Sequence, residues 1–403
     1  MYRASAAASV AWGEKAVNIE RSRIGLGGNS KVSITFIAVI FTMSIVLVMT
    51  PVVSAASWSF TVVNSNREST PDTGIAVDSK GVTHIVYSLP STYTNRGIAG
   101  LYYANDEKGS FRSVCIDKTA KASTFIDLAI DSKGCLHVAY MDESACDLLY
   151  LSNVGGKWQR TVVDSVGNTG LFPDLTIDSE DNVHISYLST VDFHLDNTLK
   201  YASNIGGVWS ISSIGPCGYN PTAIAVDSAG YAHVCFVGSQ SVYYVPLPLN
   251  YITNDAGSWS APVAIDYEAI YPSIASGTGG MMYVAYASFT PGTDPTFATL
   301  NLASSTDGLV WSSEVVDGSG IVEIGPELAI ALDANGDVHI AYTEVRSSND
   351  YHVMYAENTG AVWNIQTVTH GSSSSMALDM GSNPHIAYHN ELAPQSLMCA
   401  IWS

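Results

Sequence analysis

The chain has 403 residues, 47% of them apolar and only 13% charged, with a formal net charge of −20. So acidic a body repels polyanions, which excludes nucleic acid and anionic membrane surfaces as partners. Sparse Lys and Glu beside abundant Ser, Gly, Tyr and Val favour strands and turns over helices.

The first 31 residues form a leader that matches neither core nor repeat. An apolar run from Val32 to Met49 follows, preceded by Arg21, Arg23 and Lys31. Thr50, Pro51 and the small stretch Val53-Ser54-Ala55 close it. Residues 32–55 therefore read as a secretory signal cut after Ala55 or Ala56, or as an uncleaved membrane anchor. Either reading places the protein outside the cell, secreted or at the cell surface. Any membrane contact is through this segment alone. Without it, 12 bases face 35 acids, a net −23. Cations, neutral sugars and basic protein surfaces suit such a body. Six cysteines (Cys115, Cys135, Cys146, Cys217, Cys235, Cys399) all follow the signal. Their spacing repeats in no unit and contains no CxxC, so neither a disulfide framework nor a metal site is read from them.

From residue 56 to 403 one block recurs. Asp78, Asp131, Asp178, Asp227, Asp333 and Asp379 each have a histidine six residues later: His84, His137, His184, His233, His339 and His385. An aromatic stands three further on: Tyr87, Tyr140, Tyr187, Phe236, Tyr342 and Tyr388. A degenerate copy has Gly277, Tyr283 and Tyr286 in these places. Seven copies at 46 to 56 residues predict a solenoid or propeller.

Each copy reads as four strands. An apolar run such as IAVD leads through an Asp-Ser-x-Gly hairpin into HIAY-like residues, then a variable loop, a third strand such as LKYA, and a fourth such as QRTVVD. The two inner strands are apolar on both faces, as blades packed on both sides require. The fourth strand opens on an aromatic: Phe111, Trp158, Trp209, Trp259, Trp311 and Trp363 in blades one to six. The seventh copy ends at Ser403 without a fourth strand, and SWSFTVV with Trp58 supplies it from the other end. The sequence thus predicts an all-β, seven-bladed β-propeller of four-stranded blades. Its ring is closed by the N-terminal strand pairing in the last blade, which removes an open edge.

The turn between third and fourth strands resembles a degenerate Asp box of the sialidase-like, BNR-repeat β-propellers, Ser-x-Asp-x-Gly-x-Thr-Trp. Ser304, Gly308 and Trp311 keep the motif, with Thr306 at the Asp place. Asn153, Asn204 and Asn358 take that place elsewhere, with Gly155, Gly206 and Gly360 two later. Asn is expected to cap the turn as Asp does. The resemblance covers residues 57–403. In that family a sialidase needs an arginine triad, a Tyr/Glu pair, an acid/base Asp and a Phe/Tyr-Arg-Ile-Pro motif. The chain has no such motif. Beyond the signal it has five arginines, and Arg112 and Arg160 fall in outer strands.

A residue repeated in every blade serves every blade, whereas a catalytic site is one place. The histidines are therefore expected to make structural hydrogen bonds, with the turn Asp or a neighbouring blade. Asp333, Asn335 and Asp337 imitate a calcium loop but lack its final glutamate and coincide with the hairpin turn. No metal and no cofactor are expected. The ligand face implied by the resemblance carries the loops between second and third strands and between blades. Its candidate ligand-binding residues are Tyr93, Arg96, Asp192, His194, Arg346, His352, His389 and Glu391, with Arg67 a third arginine for an anion. Asp142 and Glu344, each two residues past the repeat Tyr, are the catalytic candidates, since paired carboxylates cleave glycosidic bonds. The expected function is a non-catalytic extracellular binding or interaction module for a glycan or protein. The alternative is a glycan-acting hydrolase or lyase on the same fold, not a true sialidase.

Overall fold

A computed structural model describes residues 56–65, 72–89, 99–120, 123–191, 196–239, 247–289, 298–318, 323–347, 350–360, 362–390, 392 and 396–403. Residues 1–55, read from the sequence as a leader and a signal or anchor, lie outside the described residues, among which no helix is long and apolar enough to cross a membrane.

The described strands form seven four-stranded antiparallel sheets, each made of consecutive strands except the last. The first strand of each blade packs on the first strand of the next. That of blade seven, Ser372–Leu378, packs on that of blade one, Thr73–Val77, so the ring is complete. Closure occurs as the repeats predict. Trp58–Asn64 pairs antiparallel with Ser396–Trp402, Trp58 opposite Trp402 and Asn64 opposite Leu397. Seven apolar clusters between blades make up the core.

The repeated histidine is structural. His137 Nε2 lies 3.2 Å from Asp131 Oδ2, and its Nδ1 lies 2.6 Å from Tyr150 Oη. His184 repeats this with Asp178 at 3.2 Å and Tyr201 at 2.6 Å. The aspartate holds the proton on Nε2, so the tyrosine hydroxyl donates to Nδ1. The same tyrosine then packs against the next blade's fourth-strand tryptophan, Tyr150 on Trp209 at 5.0 Å and Tyr201 on Trp259 at 5.1 Å. The exceptions obey the same logic. Blade five has Tyr283 for the histidine and Leu302 for the tyrosine. Blade seven has Cys399 at the tyrosine place, and His385 Nδ1 turns to Thr83 Oγ1 of blade one at 2.8 Å.

A second lock joins blades at the other end. Tyr140 donates to Asp117 at 2.7 Å and Tyr187 to Asp164 at 2.8 Å, each aspartate ending the preceding blade's fourth strand. Blade four has Phe236, which lacks the hydroxyl. Cys217 stands where the acceptor would be, and both sit in one apolar cluster.

The turns between third and fourth strands depart from the expected capping. Asn153 makes no cap bond. Its Oδ1 accepts from Leu136 N at 2.7 Å, and Asn204 Oδ1 accepts from Val183 N at 2.6 Å. Left-handed glycines, Gly155 at φ 78° and Gly156 at φ 80°, bend the turn, so the asparagine is free to tie it to the second strand. In the Ser304–Trp311 turn the carboxylate comes from Asp307, which accepts from Leu309 N and Val310 N, not from the Thr306 place. Asp333 Oδ1 accepts from Asn335 N and Asp337 N, as a hairpin turn requires. All six cysteines are free thiols.

Candidate functional site at the channel mouth

The first strands enclose a central cavity of about 350 Å³. One position on each faces its neighbour across the ring: Gly74, Asp127, Asp174, Ala223, Ser273, Ala329 and Ser375. Polar side chains there reach the next blade's backbone. Asp127 Oδ2 accepts from Leu175 N and Asp174 Oδ2 from Ile224 N, both at 2.7 Å, and Ser273 Oγ accepts from Ile330 N at 3.2 Å. Gly74 has no side chain because a Cβ there would stand 2.6 Å from that of Leu128.

Asp127 and Asp174 also bond each other. Crowding by protein raises both carboxyls, and the charge of Asp127 lifts Asp174 further. The hydrogen bond from Asp174 holds Asp127 back. Of the two, Asp174 is therefore the harder to ionise, and the hydrogen bond between them can carry a shared proton. Asp72, also lining the cavity, is raised by burial, against a backbone N–H of Phe125 and with help from the charge of Glu143.

Above this ring the first strands of blades two, three and five bulge. Pairing skips from Thr124 to Asp127, from Leu171 to Asp174 and from Ile270 to Ser273. At each bulge an aromatic residue adopts a left-handed backbone: Phe125 (φ 52°), Phe172 (φ 48°) and Tyr271 (φ 55°). Such a conformation costs about 1–3 kcal/mol for a bulky residue. It throws the ring out of the strand's alternation and beside its neighbour. Phe125 and Phe172 have ring centroids 4.3 Å apart, and Phe172 and Tyr219 5.1 Å. The three half-buried rings form an arc over the core between blades three and four. Phe125 and Phe172 also line the cavity.

The catalytic candidates, Asp142 and Glu344, each bond within their own blade. Asp142 is buried and accepts from Ser144 N at 3.0 Å and Ser144 Oγ at 2.6 Å, with Arg160 Nη2 at 3.8 Å. Glu344 is buried, and its Oε2 accepts from Arg346 Nε at 2.9 Å and Nη2 at 2.7 Å. Neither lines the cavity. His352 is buried beside Asp350 and His370. His389 ends the second strand of blade seven, opposite Ser372 and Leu397. Tyr93, Arg96, Asp192, His194, Glu391 and Arg67 lie outside the described residues. Sequence reasoning missed the aromatic arc. The signal was an aromatic two residues before the ring position in Phe-Ile-Asp, Phe-Pro-Asp and Tyr-Pro-Ser, visible once the repeats are aligned on their histidines.

No protein-family model and no curated protein matches the chain. Solved structures do. The α-L-arabinofuranosidase Arb93A of Fusarium graminearum, in complex with an iminosugar inhibitor, is 13% identical over 69% of this chain and 92% of that one, with a TM-score of 0.51. A protein of unknown function from Dyadobacter fermentans is 12% identical, covering 85% of this chain and 97% of that one at TM-score 0.49. The Hadza microbial sialidase Hz136 is 12% identical, covering 75% and 73% at TM-score 0.48. At these identities the likeness concerns the fold alone, a seven-bladed β-propeller.

Proposed function

We propose that this protein is an exported binding module that takes a neutral glycan at the channel mouth. The observation that carries the reading is the arc Phe125–Phe172–Tyr219, two of whose members, Phe125 and Phe172, are held in a left-handed backbone. Strain of this kind concentrates where a ligand is held. Half-exposed rings offer flat apolar faces to the C–H side of a sugar. The acidic body, at −23 beyond the signal, disfavours an anionic ligand at long range. Two of the arginines are already committed, Arg346 to Glu344 and Arg160 to Asp117 and Asp142. Export or surface anchoring through residues 32–55 would bring the mouth to extracellular glycans.

The hydrolase reading keeps one observation, the raised carboxyl of Asp72 at the cavity, suited to a general acid. Asp127 and Asp174 do not supply a partner pair, because they touch. Glycosidases hold their two carboxyls about 5 Å or more apart.

The test is a titration of the full-length chain with an arabino-oligosaccharide and with a sialoside. The neutral sugar should bind, and Phe172→Ala should weaken it about tenfold, equivalent to about 1.4 kcal/mol, with the fold intact. Sugar binding unchanged in Phe172→Ala would reject the mouth as the site. Turnover of the sugar lost in Asp72→Asn would replace the binding module with the enzyme.

A further inference from the structure

We propose that the outer part of blade six carries a second site, for a divalent first-row transition metal such as Zn²⁺, held by Asp350, His352 and His370. The third strand of that blade, Asp350–Asn358, lies between the second, Val338–Ser347, and the fourth, Trp363–His370. Register places Glu344 opposite His352 and His352 opposite His370. Directly opposed residues share a face, so Glu344, His352 and His370 form one row across three strands. Asp350, two residues before His352, points to the same face.

The spacing fits a metal. Asp350 Oδ1 lies 2.9 Å from His352 Nε2 and 3.7 Å from His370 Nδ1, and the three ligand atoms all lie within 4.8 Å of one another. Metal bonds of about 2.0–2.1 Å in a tetrahedral site set ligand edges of about 3.3 Å, which the first two distances straddle. Sub-ångström side-chain shifts would complete the geometry. A hydrogen bond from His352 to Asp350 explains part of the cluster. It does not explain why His370, mostly exposed, is held with its ring 4.3 Å from that of His352.

Glu344 is not a ligand, since Arg346 occupies its carboxylate. Two imidazoles and one carboxylate select zinc, nickel or copper over magnesium and calcium. Three protein ligands leave the fourth position to water or to a ligand group. The acidic body raises the local cation concentration.

The experiment uses the full-length chain without a histidine tag, titrated with Co²⁺ and then Zn²⁺. Visible absorption of bound Co²⁺ reports the coordination, and calorimetry reports the affinity. The wild-type chain should bind a single equivalent of Co²⁺ in a tetrahedral-type spectrum, and Zn²⁺ should displace it. His370→Ala removes an exposed side chain and should leave the melting temperature without metal unchanged. It should weaken Zn²⁺ by more than about 100-fold, beyond what loss of an outer partner costs. Asp350→Asn should weaken it as well. No Co²⁺ spectrum in the wild type, or Zn²⁺ binding unchanged in His370→Ala, would overturn the site.

Discussion

Burial and the neighbouring Asp127 charge both oppose ionisation of Asp174. A carboxyl raised by folding stabilises the fold fully below its unfolded value of about 3.9. That contribution is lost as pH rises through the folded value, since only the unfolded chain then gives up the proton freely. Asp174→Asn keeps both roles, an N–H donor to Asp127 and an oxygen acceptor for Ile224 N, without the proton. The variant should match or exceed the wild-type melting temperature at neutral pH and show a flatter pH profile above about pH 4. A loss of several degrees at neutral pH would mean that Asp174 is ionised there. The histidines act in the opposite direction. Burial depresses His84, His137, His184, His233, His339 and His385. Neutral imidazole stabilises the fold above the unfolded value of about 6.5. That stability is lost as pH falls, because the unfolded chain takes up protons first. His184→Ala, in thermal melts across this range, should be less stable at neutral pH by about 1–3 kcal/mol, the cost of unpairing buried Tyr201 and Asp178. It should also lose less on acidification than the wild type; an equal loss would place the acid sensitivity elsewhere. The histidine role was legible in the sequence because it repeats. The Asp127–Asp174 pair was not, because only two of seven blades carry it.

Trp58–Asn64 is the element that makes the ring a ring. It pairs along its length with Ser396–Trp402, and Trp58 packs on Tyr355 of blade six at 5.5 Å, continuing the tyrosine–tryptophan chain. Deleting residues 57–64 exposes an unpaired edge. The deletion should lower the melting temperature sharply and populate oligomers in light scattering; a monomer with wild-type stability would contradict closure through this strand. The strand was predictable because a blade lacking its fourth strand and a surplus strand with its tryptophan stood at opposite ends of one chain. The first-strand bulges were harder to see. Alternation over LFPDLTID predicts Phe172 in or out by parity, whereas a left-handed residue breaks parity. The Asp350–His352–His370 cluster was hidden for the same reason, because a register shift between Val353 and Met354 separates His370 from simple counting.

The whole molecule separates two ends by chemistry. One end carries the tight Asp turns and, in five of the seven blades, the His–Tyr bond. The other carries loops that differ, the aromatic arc and the raised carboxyl of Asp72. The fold was readable because seven copies average out local noise. The ligand end was not, because a binding site depends on what each blade does differently. Asp142 and Glu344 illustrate this. Matching places past the repeat tyrosine put them on blades two and six, where each is engaged by its own arginine. On the proposed reading the mouth binds a neutral glycan without cleaving it. Calorimetric titration of the full-length chain with an arabino-oligosaccharide, followed by chromatography of the recovered sugar, tests this most directly. Saturable binding and recovery of an intact sugar are expected. A flat titration, or a shortened sugar in the recovered fraction, would contradict it.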